Sequence, residues 1–180
     1  MYKFEPLFKE GGIYAIKDFM VQDNKMSFRT TENVFKWEFI KKTNAFEWPF
    51  NDFPATPYEL ISFPALQEQQ DIDESQAFDV IGKVEYPKPE KVVKRKNGYS
   101  RLKELVVTDA EGHTIVFSLW GDKMIDEYNS FPHQKYDSTI ILLQLCRAHK
   151  YQGMVYASNV HDATKMIING DDEEFRDLRS

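Results

Sequence analysis

The chain predicts a mainly β protein organised around one five-stranded Greek-key barrel, and three observations carry that expectation. Hydrophobic residues make up 42% of the 180 and aromatic residues 14%, enough for a packed core and too much for wholesale disorder. From Glu104 to Gly121, apolar Leu105, Val107, Ile115, Phe117 and Leu119 alternate with polar residues on both sides of the turn-forming Asp109-Ala-Glu-Gly112. That is the pattern of a long β-hairpin with one buried face. From residue 77 onward the elements follow in the order strand, strand, strand, helix, strand, strand, which is the order of a small closed barrel that binds oligonucleotides.

The first segment, 1–43, reads as the later part of a similar barrel, incomplete here. Tyr2 to Phe8 suggests a short amphipathic helical remnant broken at Gly11-Gly12. Ile13, Ala15 and Phe19 to Val21 are strand-like, Asp23-Asn-Lys25 is a turn, and Ser27 to Thr30 and Val34 to Ile40 add further alternation. Two or three strands are too few to bury their own apolar faces well. The second segment, 44–76, reads as a linker. Asn44 to Tyr58 holds three prolines, which disfavour regular interiors, and five rings, Phe46, Trp48, Phe50, Phe53 and Tyr58, dense enough that the linker should pack along a domain. Tyr58 to Leu66 offers a helical turn, and the polar, acidic Glu68 to Gln76 marks the boundary.

The third segment, 77–170, is the complete unit. Phe78 to Tyr86 is a strand in which Gly82 suits a bulge or bend. Pro87-Lys-Pro89 opens a basic loop, Tyr99 to Thr108 and His113 to Trp120 form the hairpin, and Gly121 to Phe131 is a short helix. Ser138 to Ala148 is a nearly continuous apolar strand, with Tyr151 to Ser158 its neighbour after a turn at His149-Lys150. Ile167 to Gly170 closes the unit, and the acidic 171–180 forms a short C-terminal helix.

Net charge is -6, yet Lys88, Lys91, Lys94, Arg95, Lys96, Arg101 and Lys103 crowd one stretch that contains the single acid Glu90. A local cationic stripe on an acidic body can still capture phosphates, because screening limits the reach of distant acids to about 10 Å. The plain alternative is a solvated loop. Cys146, the one cysteine, excludes an intramolecular disulfide and a multi-cysteine zinc site, fits a reducing compartment, and falls in the apolar run of a core strand. No apolar segment approaches the roughly 20 residues of a membrane helix, and the N-terminus does not resemble a signal peptide, so a soluble intracellular protein is expected. The four histidines, His113, His133, His149 and His161, lack metal-ligand spacing, and there is no nucleophile elbow, phosphate loop or nucleotide-binding glycine motif. Asp109 and Glu111 are better turn formers than a catalytic pair. Neither catalysis, a cofactor nor a metal is expected.

Trp120 stands where a strand leaves the sheet, beside the cationic stretch. Single strands are held by stacking on exposed rings together with phosphate neutralisation along a groove. Trp120 and Tyr151, in a Lys-Tyr-Gln-Gly turn, are therefore candidate platforms, Tyr99 beside Gly98 is a further one, and Lys94, Arg95, Lys96, Arg101 and Lys103 are the candidate phosphate clamp. The binding should be salt-sensitive and show little sequence preference. A protein-interaction module that takes an acidic peptide through the same basic loop is the alternative, as is binding of single-stranded RNA.

Phe78-Asp-Val-Ile-Gly, Ser118-Leu-Trp-Gly121 after the hairpin, Gly153-Met-Val-Tyr-Ala-Ser158, and Ile168-Asn169 followed by Leu178-Arg179 together resemble the second DNA-binding barrel of the large subunit of replication protein A. Phe4 to Tyr14, Asn24 to Phe28 and the Phe46-rich linker resemble the last strands of the barrel that precedes it, so the likeness spans almost the whole chain and is nearest to plant-type members. The resemblance implies that Trp120 and Tyr151 stack bases, that Ser118 and Arg147 make polar contacts beside them, and that Phe28 is the stacking ring of the preceding barrel. It also implies single-stranded DNA as ligand, a part in DNA replication, repair or recombination, and a nuclear location. Two departures stand out: the early strands of the first barrel are absent, so the linker, the second barrel, another chain or further replication-type subunits would complete it, and the family's C-terminal zinc-bearing barrel is missing.

Overall fold

The computed structural model describes residues 4, 6–9, 11–31, 33–49, 58–69, 73–96, 98–132, 139–161 and 163–179. Much of the proline-rich stretch, together with Tyr2, Asn97, His133 and Ser138, lies outside them. The chain divides into two compact units, one of residues 1–27 and 32–57, the other of residues 28–31 and 58–180.

The first unit holds four short strands, β1 (Tyr14–Lys17), β2 (Met20–Asp23), β3 (Phe35–Glu38) and β4 (Asn44–Glu47). They form two separate two-stranded antiparallel sheets, β1 with β4 and β2 with β3. The stretch expected to be linker thus begins as a strand. The only buried residue described in this unit is Thr43, whose hydroxyl accepts from the Ile40 N–H and donates to the Asp18 carbonyl, each at 2.8 Å. Its rings pair with one another instead of entering a core: Phe19 stacks on Trp37 at 4.3 Å, and Phe8 meets Tyr14 edge-on at 4.9 Å.

The second unit contains α1 (Phe63–Glu68), β5 (Phe78–Pro87), β6 (Lys91–Arg95), β7 (Gly98–Thr108), β8 (Thr114–Trp120), α2 (Asp122–Ser130), β9 (Ile140–Tyr151), β10 (Met154–Ser158), β11 (Lys165–Ile168) and α3 (Glu173–Asp177). β5 pairs with β7, β7 with β8, β8 in parallel with β10, β10 with β9, and β9 back with β5. The ring closes, with α2 between its third and fourth strands, and this is the OB fold. β11 adds to the outside of β9 and β6 to the far end of β7. Inside sit Val80, Val84, Leu105, Val107, Ile115, Phe117, Leu119, Ile141 and Leu143, none of them more than 1% exposed, and α1 inserts Phe63 and Leu66 from one side while α2 brings Ile125. A short helix can form at α1 because the Ser62 hydroxyl accepts from the Ala65 N–H and Pro64 sits in the first turn.

Three details differ from the sequence reading, each for a local reason. The basic run is not a loop: Val92 and Val93 favour extended backbone, and Gly98, at φ 124°, lets β6 double back on β7 as a protruding hairpin. The turn after the apolar strand falls at Gln152-Gly153, both left-handed (φ 49° and 78°), so His149 and Lys150 remain in the strand. Gly82 is not at a bulge, since the register shifts come at Asp79 and Glu85. A Cβ on Gly82 would collide with the Val107 side chain and lie 2.9 Å from Phe63, so glycine is required there by close packing.

The β9 strand bends at Leu145, where φ is 56°. Asp79, itself buried, holds the bend: its carboxylate accepts the Leu145 N–H at 2.8 Å and the Glu59 N–H at 3.0 Å. The Thr164 hydroxyl donates to the Leu145 carbonyl at 2.8 Å. Residues before the bend pair with β5 and β11; after it Cys146 still pairs with Phe78 of β5, and Arg147 to Tyr151 pair with β10.

Candidate nucleic-acid interface

A groove of about 550 Å³ opens on the barrel where β8, β9 and β10 end, and Trp120, Arg95, Arg147, His149, Ser158 and Asn159 are among its lining residues. Trp120 is half-buried at the last position of β8. The next residue, Gly121, takes φ 84° and starts α2, so the chain leaves the sheet just past the ring. Over one face of the indole lies the Arg95 guanidinium, 3.7 Å from the ring centroid, brought there by the β6–β7 hairpin. Further along, the Arg147 guanidinium lies 5.1 Å from the Phe28 ring, and His149 stacks on Tyr156 at 5.1 Å.

Two buried polar atoms of this region have no partner within the described protein, the Arg147 Nε and the Ser158 Oγ, and Ser158 is only 8% exposed. Buried donors and acceptors are ordinarily satisfied, so these two stand out in residues that line the groove. Burial lowers the His149 imidazole below its ordinary value, with Glu74 opposing and nearby Arg147 adding to the shift. The wall of the groove is therefore cationic through its arginines near neutrality, with Glu74 as a local acid.

The expected site residues fall into distinct places. Trp120, Arg95 and Arg147 come together, and Phe28 stands against Arg147 within the same unit. Tyr151 is at the tip of the β9–β10 hairpin and 60% exposed; Tyr99 pairs with Lys94 on the protruding hairpin and is 75% exposed. Lys94 and Lys96 are exposed on that hairpin. Ser118 is buried in β8, opposite Ser158 of β10. Two residues of the expected clamp have other engagements. Arg101 donates to Glu90 at 2.6 Å, Asp126 at 2.8 Å and Asp122 at 3.3 Å, which raises its pKa further and pulls the Glu90 carboxyl below its usual range. It fixes the hairpin base to α2, and phosphate would have to displace three carboxylates. The Lys103 ammonium lies 5.4 Å from the Tyr128 ring of α2. Lys88 and Lys91 both reach Glu104, at 3.5 and 3.1 Å.

Asn159 carries no sequence signal that would single it out, yet its side chain makes two hydrogen bonds to the backbone of Trp120. Asp109, Glu111 and His113 cluster at the β7–β8 turn, where the Asp109 carboxylate accepts the N–H groups of Glu111 and His113 and contacts the His113 ring, a turn-forming role.

No family model matches the chain. It is 22% identical over 188 aligned positions to a 70 kDa DNA-binding subunit of replication protein A from Arabidopsis thaliana, covering 99% of this chain and 30% of that protein. A solved structure of a replication protein A heterotrimer bound to ssDNA superposes with a TM-score of 0.66 at 21% identity, over 98% of this chain and 40% of the matched one. The chain thus spans well under half the length of either relative, and the likeness in structure is one of fold.

Proposed function

We propose that this chain, an OB-fold protein similar to the large subunit of replication protein A, binds single-stranded DNA in the groove at Trp120 with little sequence preference. The observation that carries the proposal is a half-buried tryptophan flanked by guanidinium groups in an open groove, with the Arg147 Nε and Ser158 Oγ unpartnered beside it. A base stacked on Trp120 takes the place now held by Arg95, and the released guanidinium pairs with a phosphate. Tyr151 offers a second face at the hairpin tip, Tyr99 a third on the protruding hairpin, and Lys94 and Lys96 meet the backbone of the strand. Phe28, held under Arg147, borders the path. Ser118 supports Ser158 from the neighbouring strand. Arg101 and Lys103 hold the hairpin and α2 in place and contribute little directly to phosphate binding.

The Arabidopsis relative is named as a DNA-binding subunit and the solved one was bound to ssDNA. The corresponding roles here are replication, repair or recombination, in the nucleus, beside other subunits of the same kind or a chain that completes the first unit. The function is binding, not catalysis.

Fluorescence anisotropy with a labelled oligonucleotide tests this. Single-stranded DNA should bind more tightly than duplex, affinity should fall as salt rises, and Trp120→Ala should weaken it roughly 5- to 150-fold in a folded protein, the worth of about 1 to 3 kcal/mol per stacked base. Absence of binding at low salt by the folded chain sinks the proposal and points to an acidic peptide as ligand.

A further inference from the structure

β10 ends at Ser158, opposite Ser118, so the parallel ladder with β8 runs out two residues before Trp120. Asn159 takes over with its side chain. Its Oδ1 accepts the Trp120 N–H at 2.6 Å, and its Nδ2 donates to the Trp120 carbonyl at 3.1 Å, while its own N–H reaches the Ser118 carbonyl at 3.4 Å. A carboxamide presents one acceptor and one donor side by side, as a peptide unit does, and so can satisfy both backbone groups of a single residue. A carboxylate lacks the donor, and a hydroxyl cannot reach both groups at once. The clamp acts where the chain turns from β8 through Gly121, at φ 84°, into α2, so the indole sits at a point that no main-chain ladder to β10 fixes.

We infer that Asn159 is the positioning residue for the Trp120 platform: it holds the ring's backbone so that one face stays presented to the groove, and a single-stranded ligand binds without first ordering it. The inference rests on the single-strand reading above. It concerns a residue that touches the ring only through its backbone, and therefore predicts coupling to Trp120 and no effect on phosphate contacts.

The test is a double-mutant cycle, with wild type, Asn159→Ala, Trp120→Ala and the combined variant titrated with a labelled oligothymidine over a range of salt, and thermal melts run alongside. Asn159→Ala should weaken binding about three- to tenfold, a part of the stacking worth of one base. The slope of affinity against salt should not change, since no phosphate contact is lost. In the Trp120→Ala background the same substitution should have no further effect. Asn159→Ser, which keeps one hydrogen-bonding group, should fall between wild type and alanine, and it supplies the measurement if the alanine variant does not fold. Equal losses from Asn159→Ala with and without Trp120, a changed salt slope, or no loss in a folded variant overturns the inference. If wild type fails to bind, or Trp120→Ala binds as well as wild type, it is the stacking reading that fails.

Discussion

The two units are both rich in rings, and they use them oppositely. In the first, Trp37 is 57% exposed, Phe35 51% and Phe46 45%, and no described hydrophobic side chain is buried. In the second, Phe63, Phe117, Tyr128 and Phe175 are at most 1% exposed. What separates them is closure, not composition. Four strands in two separate pairs enclose no volume, and apart from a half-buried β1 they are mostly exposed. Five strands hydrogen-bonded in a ring enclose a volume, and helices at its ends cover what remains. Aromatic content sets what could be buried; topology decides whether it is.

The comparison breaks most readily in the core. Leu105→Ala should destabilise the second unit by about 3 to 4 kcal/mol in urea melts, the usual range for a leucine lost from a packed interior, whereas Trp37→Ala should cost about 1 kcal/mol, the worth of its stack on Phe19. Equal costs would mean that the first unit has a core of its own. Gly82→Ala sharpens the point, because an added methyl meets Val107 and Phe63; about 2 to 3 kcal/mol is expected, and a neutral result would show that β5 can move away from β7. Tyr151→Ala separates exposed rings that bind from those that merely stand in water. It should weaken single-strand binding by about 1 to 2 kcal/mol and leave stability within about 0.5 kcal/mol; the reverse pattern would make the ring structural.

The smallest effect lies at the edge of the second unit. The Tyr58 hydroxyl donates to Asp172 at 3.0 Å, and burial, followed by that bond and the adjacent carboxylates, raises its pKa from 10.0 to about 12. The unfolded chain therefore ionises first, so stability is full below pH 10 and declines as pH rises toward 12. Tyr58→Phe should flatten that decline in alkaline melts. An unchanged profile would show that the phenol is solvated and that α3 is not held there.

Much of this was legible in the residues. The hairpin of β7 and β8, the apolar β9 and the helix after Trp120 announce themselves by period and by turn chemistry, and their order alone suggests the barrel. The charges are harder to read. A window ending at Lys103 misses Glu104, which pairs with both Lys88 and Lys91, and nothing local to Arg101 foretells Asp122 and Asp126. Positive residues mask the strand propensity of Val92 and Val93, so β6 passes for a loop. Gln152 is not a residue that advertises left-handed backbone, and so the turn reads three residues too early. Asn159 is invisible without the fold because its partners are backbone groups 39 residues away.

One feature of β9 governs which residues the groove receives. Ile141 and Leu143 point into the barrel, and so do Cys146 and Ala148. Between those pairs the inward parity changes from odd to even, and the change falls at Leu145, the single left-handed residue of the strand. Because side chains alternate strictly, a strand without that step would have turned Arg147 and His149 inward and Cys146 and Ala148 outward. The bend that Asp79 secures thus works as a phase shift: one residue in a rare conformation assigns a cation and an imidazole to the wall of the groove.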